Sequence, residues 1–211
     1  MEITGRTGAE RMENTRTETA VRIGYGNANN AQQRVDTMAA RMDVATSDGR
    51  TSADAADMIE LETSGWAAAI AADCTHARST ISVSAISMMP PLRRAEAGFC
   101  VLWDAWVEAA QRGVNVTFHL PAPMRAHPAT ARNVRAAKIA QDAGMHTRFA
   151  QSPRLLHAKS VVVDGCSVWI GSGNMTSAAA ISNHEFYVHF NSFSVAERIE
   201  SYLRSITTVG V

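Results

Sequence analysis

His157-Ala158-Lys159-Ser160-Val161-Val162-Val163-Asp164-Gly165, continued by Cys166-Ser167-Val168-Trp169-Ile170-Gly171-Ser172-Gly173-Asn174, is the stretch that decides the fold. Leu155 to Val163 is strand-like, with β-branched residues at its centre. Asp164-Gly165 is a tight-turn signal of the kind that joins antiparallel strands. Ser167 to Gly171 is then the returning strand, with Val168 and Trp169 as core residues.

The flanking sequence alternates strand and helix signals. Met58 to Leu61 reads as a short strand, and Ser64 to Ala77 as a helix with Ser64 as a candidate N-cap. Thr80 to Ile86 suits a strand. Gly98 to Arg112 is helical, with Gly113 where a C-cap stands. Val114 to Leu120 is a strand ended by Pro121 and Pro123, and Pro128 to Ala143 a helix stopped at Gly144. Met145 to Phe149 gives a further strand. After the hairpin comes a small-residue loop, then a strand at Glu185 to Phe190 and a closing helix at Ser194 to Ser205. This order predicts an α/β fold, a mixed β-sheet flanked by helices, because the hairpin is antiparallel while the alternating units favour parallel strands.

Residues 1–55 differ from the rest. They are polar, with one weakly amphipathic helical pattern from Asn29 to Val44 and a linker-like run over 46–52. They read as an N-terminal extension, either partly disordered or packed on a partner subunit. Residues 56–211 read as the folded α/β domain.

Composition narrows the function classes. The 211 residues carry no formal net charge, and 46% are hydrophobic, enough for a sizeable core. No apolar run reaches membrane-spanning length, and the first thirty residues lack the apolar stretch of a signal peptide. Cys74, Cys100 and Cys166 are scattered, which fits reduced thiols in a cytoplasmic chain rather than a disulfide framework or zinc site. The histidines show no metal spacing, so no metal and no cofactor are expected. A dedicated nucleic-acid binder usually has a basic balance, so any nucleic-acid contact here must come from local clusters. The chain has only two lysines, Lys138 and Lys159, which makes Lys159 conspicuous.

The chemistry gathers on the hairpin. His157 and Lys159 stand two apart in a predicted strand and so share a face. The returning strand delivers Ser172 and Asn174 from its end. An imidazole, an ammonium, a hydroxyl and a carboxamide then converge. Such donors suit phosphate oxygens, and an imidazole can attack phosphorus. Asp164 has a complete structural explanation in its Asp-Gly turn. Ser172 and Gly173 fit a turn as readily as a site. His184, next to Glu185, points to the opposite face and reads as structural or exposed.

The pattern HxK(x)4D(x)6GSxN resembles the signature of the phospholipase D superfamily. Six fixed residue types at fixed offsets arise by chance at roughly one in ten million start positions or fewer. Most members carry two copies of the motif; this chain carries one, and so resembles the small bacterial endonucleases of the family, which complete the site across a dimer. The resemblance implies a phospholipase D-like fold and a metal-independent phosphodiesterase. It makes His157 the nucleophile, with the same histidine of a second subunit protonating the leaving oxygen. It gives Lys159 and Asn174 to the phosphate oxygens, with Ser172 assisting, and keeps Asp164 in the motif. It also implies a carboxylate on one ring nitrogen of the histidine, for which Glu185 is the candidate. A strand-edge surface charge is the competing explanation of Glu185.

Arg93, Arg94, Arg125, Arg132 and Arg135 are candidates for a phosphate-tracking groove, Arg93 and Arg125 foremost as substrate-binding residues; a solvated helix face explains Arg132 and Arg135 equally well. Met88-Met89-Pro90-Pro91 either forms a loop at the site mouth or supplies core-edge methionine. The expected partner is a second copy of the chain. The expected substrate is DNA or RNA, with phospholipid as the alternative, and a non-enzymatic phosphate-gripping module ranks below both.

Overall fold

The computed structural model describes residues 57–63, 65–91, 97–123, 128–151 and 153–210. The extension with its predicted helix, Ser64, Arg93, Arg94 and Arg125 lie outside the described residues.

The elements alternate along the chain. They are β1 (Asp57–Glu62), α1 (Trp66–Thr75), β2 (Thr80–Ser84), α2 (Ala97–Gln111), β3 (Asn115–Pro121), α3 (Pro128–Asp142) and β4 (His146–Ala150), then the hairpin β5 (Ser160–Val163) and β6 (Ser167–Gly171), and finally α4 (Ser177–Ile181), β7 (Tyr187–Asn191), α5 (Phe193–Ile206) and β8 (Thr207–Gly210). The strands form one sheet in the order β1-β7-β6-β5-β2-β3-β4-β8. The β2–β3 and β3–β4 pairs are parallel, joined through α2 and α3, and all other pairs are antiparallel. The mixed α/β sheet predicted from the sequence is therefore present.

Alternation along the hairpin sets the two layers. Val161, Val163 and Trp169 join the main core with Trp66, Ile70, Trp106, Phe118 and the alanines of α3. Val162 and Val168 point the other way and meet Ala196 of α5. Both faces of the hairpin are covered, which is why its strands carry a nearly continuous apolar run instead of a polar-apolar alternation.

Three boundaries depart from the sequence-based expectation. The strand predicted from Leu155 begins only at Ser160, because β2 ends opposite Ser160 at Ser84 and leaves the chain before it without a ladder on that side. The helix predicted from Ser64 starts at Trp66, after Gly65 in a left-handed conformation (φ 80) with no side-chain cap. The strand predicted from Glu185 starts at Tyr187, so Glu185 sits in the loop before it. Two elements were not predicted. One is α4, inside the small-residue loop, where Thr176 caps the helix by accepting from the Ala179 amide. The other is β8.

Candidate active site

The Asp164-Gly165 turn has φ 50 and φ 63 at its two central residues, the pattern of a type I′ hairpin turn. The Asp164 carboxylate makes this conformation worthwhile. It accepts from the amides of Arg78 and Ser79 at 2.8 Å, from Ser79 Oγ at 2.8 Å, and from the Thr80 amide at 3.0 Å. These bonds outweigh its partial burial and hold its carboxyl below the usual aspartate range. Asp164 thus ties the hairpin to the start of β2, at the end of the strands away from His157 and Lys159.

The opposite end of the hairpin carries the candidate groups. β5 runs antiparallel to β2, so its beginning lies at the carboxyl ends of the parallel strands, where open α/β sheets place ligands. One ladder-like bond extends past Ser160, from the Gly171 amide to the Lys159 carbonyl at 3.2 Å. It draws Lys159 alongside the end of β6. Lys159 is 9% exposed, while His157 lies on the surface. The Lys159 ammonium stands 3.0 Å from His157 Nδ1, 3.5 Å from Nε2, and donates to the His157 carbonyl at 2.9 Å. His157 and Lys159 are therefore together, in an extended segment that precedes the strand. Burial lowers the Lys159 pKa, and the nearby Glu185 carboxylate acts in the opposite direction.

Gly171 must be glycine. A Cβ there would lie 2.3 Å from the Phe186 carbonyl oxygen and 2.6 Å from Tyr187 Cγ. This close approach lets the chain after β6 run tightly beside residues 185–187. The Ser172 amide donates to the Phe186 carbonyl at 3.1 Å, and the Ser172 hydroxyl accepts from the Phe186 amide at 3.2 Å while donating to Glu185 Oε2 at 2.5 Å. Glu185 Oε1 accepts from Asn183 Nδ2 at 3.0 Å. The two Glu185 oxygens therefore rest on Ser172 and Asn183, and its influence on the His157–Lys159 pair is electrostatic, through Lys159.

Tyr187 forms the floor. Its hydroxyl donates to the Gly173 carbonyl at 2.6 Å, and its ring stacks on Trp66 with centroids 4.6 Å apart. Burial, with Glu185 adding to it, pushes its phenol far above the usual range. Asn174 faces the loop after β2, and its Oδ1 accepts from the Ser87 amide at 3.3 Å. The methionine loop is part of this arrangement. Met88 is fully buried and bridges Met175 in parallel register, so it is core as well as site wall.

The structure thus brings His157, Lys159, Ser172, Asn174 and Glu185 to one end of the sheet, and Asp164 to the other. Arg132 and Arg135 are exposed on α3, and His184 is exposed as expected. Asn133, Tyr187 and Trp66 support the site and were not singled out from the sequence. For Asn133 a signal exists: it falls on the same helical face as Thr130, Ala137 and Ala140, all buried, and a polar residue on a buried face needs partners. Among the described residues no group of three histidine, cysteine or acidic side chains is placed to hold a metal. No described helix is long and apolar enough to cross a membrane.

A family model described as "Cardiolipin synthase, PLD-like domain" matches residues 72–207. No curated protein sequence matches the chain. Among solved structures, Nuc from Salmonella typhimurium, described as a phospholipase D family member, is similar at 22% identity over 71% of this chain and 93% of its own, with a TM-score of 0.58. NucT from Helicobacter pylori is similar at 14% identity over 73% of this chain and 99% of its own, with a TM-score of 0.54. Phosphatidylserine synthase from Haemophilus influenzae Rd KW20 is similar at 12% identity over 89% of this chain and 48% of its own, with a TM-score of 0.56. At these identities the structural likenesses speak for the fold, and the family match covers well over half of the chain: the protein belongs to the phospholipase D-like family.

Proposed function

We propose that this chain is a metal-independent phosphodiesterase that works through a phosphohistidine at His157, and that it acts as an endonuclease on DNA or RNA from a site completed by a second copy of itself. The observation that carries the proposal is the His157–Lys159 contact beside a cluster of directed donors. The ammonium stands 3.0 Å from Nδ1 and 3.5 Å from Nε2, over the ring and within reach of either nitrogen. When a phosphodiester arrives, Lys159 moves from the ring to a phosphate oxygen, and the ring nitrogen that carries no proton attacks phosphorus. The N–P bond forms as the bond from phosphorus to the leaving oxygen breaks, and the leaving oxygen takes a proton from the other subunit's His157. Water then attacks phosphorus, the N–P bond breaks, and the proton returns.

Lys159 and Asn174 meet the charge that builds on the phosphate oxygens, which removes the need for a metal. Glu185 favours the charged form of Lys159 against the effect of burial, and Ser172 holds Glu185. The second copy is required because one histidine cannot be nucleophile and leaving-group acid in the same step. The chain spans nearly all of Nuc and NucT and about half of phosphatidylserine synthase. An isologous dimer brings two copies of one site face to face. The test is cleavage of single- and double-stranded DNA and of RNA in excess chelator. Cleavage by the wild type and its loss in His157→Ala by roughly 10^4-fold or more is expected; a requirement for divalent metal, or full activity in the variant, overturns it.

A second reading has one observation in its favour. Beside Lys159 lies a cleft of about 360 Å³ lined largely by apolar groups, among them Ala158, Ile170, Val195, Ile199 and Leu203. A lipid acyl chain suits such a surface, and the family model carries a lipid enzyme's description. Headgroup release from phosphatidyl lipid with no nucleic-acid cleavage would select this phospholipid-directed activity.

A further inference from the structure

Asn133 of α3 is fully buried, and its carboxamide is used on both sides. Oδ1 accepts from the Met88 amide at 3.0 Å and Nδ2 donates to the Ile86 carbonyl at 3.0 Å. A single side chain thus clamps the backbone on either side of Ser87. The clamped loop is stitched to the end of the motif: the Met89 amide donates to the Met175 carbonyl at 2.9 Å, and the Met175 amide to the Ser87 carbonyl at 3.2 Å. Between these bonds the Ser87 amide reaches Asn174 Oδ1 at 3.3 Å.

This arrangement decides which way the Asn174 carboxamide faces. Without a directed donor, a carboxamide can turn over and exchange its oxygen for its nitrogen. With the oxygen engaged by Ser87, the NH2 group is left on the other side, and among the described residues it donates to nothing. It is the donor half of Asn174 that a phosphate oxygen needs.

We infer that Asn133 is a positioning residue that acts through Ser87 to aim the Asn174 NH2 group at the substrate phosphate. The inference rests on the assignment of Asn174 to the phosphate proposed above. Asn133 itself touches no substrate. It fixes one peptide unit, and that peptide fixes the carboxamide.

The competing explanation is that Asn133 only stabilises the loop. A double-mutant cycle separates the two, because residues that act through one another lose activity once, whereas independent residues lose it twice. The full chain is assayed for hydrolysis of bis(p-nitrophenyl) phosphate as wild type, Asn133→Leu, Asn174→Ala and the double variant, with folding checked by circular dichroism. Leucine keeps the branched shape and removes both hydrogen bonds. If it fails to fold, Asn133→Ser takes its place in the cycle.

The expected result is a fall in kcat of up to about a hundredfold for the Asn133 variant, the scale of an angstrom-sized misplacement, with KM little changed. The double variant should match Asn174→Ala alone. Multiplying losses, or an unchanged kcat in the Asn133 variant, overturn the positioning role while leaving the proposed function standing. Unchanged hydrolysis in Asn174→Ala removes the residue through which Asn133 is said to act, and overturns the inference directly. A wild-type chain without turnover overturns the proposed function and this role together.

Discussion

The Lys159 ammonium stands 3.0 Å from His157 Nδ1 and is anchored at 2.9 Å on the His157 carbonyl. Burial lowers the Lys159 pKa, and Glu185 partly restores it. Lys159 must be protonated to meet a phosphate oxygen, so activity should fall on the alkaline side at a pH below the ordinary lysine range. Glu185→Gln removes the group that raises the Lys159 pKa. That pKa then drops further, and the alkaline limb should move to lower pH. The profile of kcat/KM against pH on bis(p-nitrophenyl) phosphate measures it; a limb that stays in place or moves upward contradicts the assigned role of Glu185.

Asp164 should matter for stability and little for chemistry. Its carboxyl is held below its ordinary value of 3.8 by four hydrogen bonds to residues 78–80. A depressed folded pKa contributes stability that is present above the unfolded value and is lost as pH falls through the folded one. Asp164→Ala should lose about 2–3 kcal/mol. Asp164→Asn keeps one acceptor and tolerates the positive φ, so it should lose less and show a weaker acid-side decline. Urea unfolding at neutral pH and near pH 3 gives both numbers. A stable Asp164→Ala chain with its activity abolished would reverse the assignment.

Gly171→Ala should be among the most damaging single-methyl changes in the chain. The new Cβ meets a backbone carbonyl and the Tyr187 ring, and neither is the far end of a flexible side chain. A loss of about 3 kcal/mol or more is expected, the upper range for overpacking, together with displacement of Ser172 from Glu185. Thermal unfolding reads the first effect. A variant as stable as wild type would mean that β6 and the 185–187 segment do not approach as described.

Much of this was legible in the sequence, and the exceptions have physical causes. The hairpin was readable because Asp-Gly at its tip and the valine run before it act locally, with no help from the rest of the fold. The convergence of His157, Lys159, Ser172 and Asn174 followed from that hairpin. The start of β5 was not readable, because it depends on where β2 stops at Ser84, a partner 76 residues away from Ser160. The same is true of Glu185: its strand neighbours suggested a ladder position, but its oxygens turn to Ser172 and Asn183 in the loop. Asn133 falls on the buried face of its helix and so needs partners, but which ones it finds depends on a loop 45 to 47 residues earlier in the chain. β8 is four residues long with no turn signal before it, and it forms because β4 leaves an edge to be covered.

The most direct test of the central claim is to trap the covalent intermediate. Wild-type and His157→Ala chains are mixed with end-labelled oligonucleotide in excess chelator and quenched in alkaline denaturant, which preserves an acid-labile N–P bond. Label bound to the wild-type chain, mapped to His157 by peptide mass and absent from His157→Ala, is the predicted result. Cleaved oligonucleotide with no protein-bound label at any time during turnover, or label retained in His157→Ala, would contradict it.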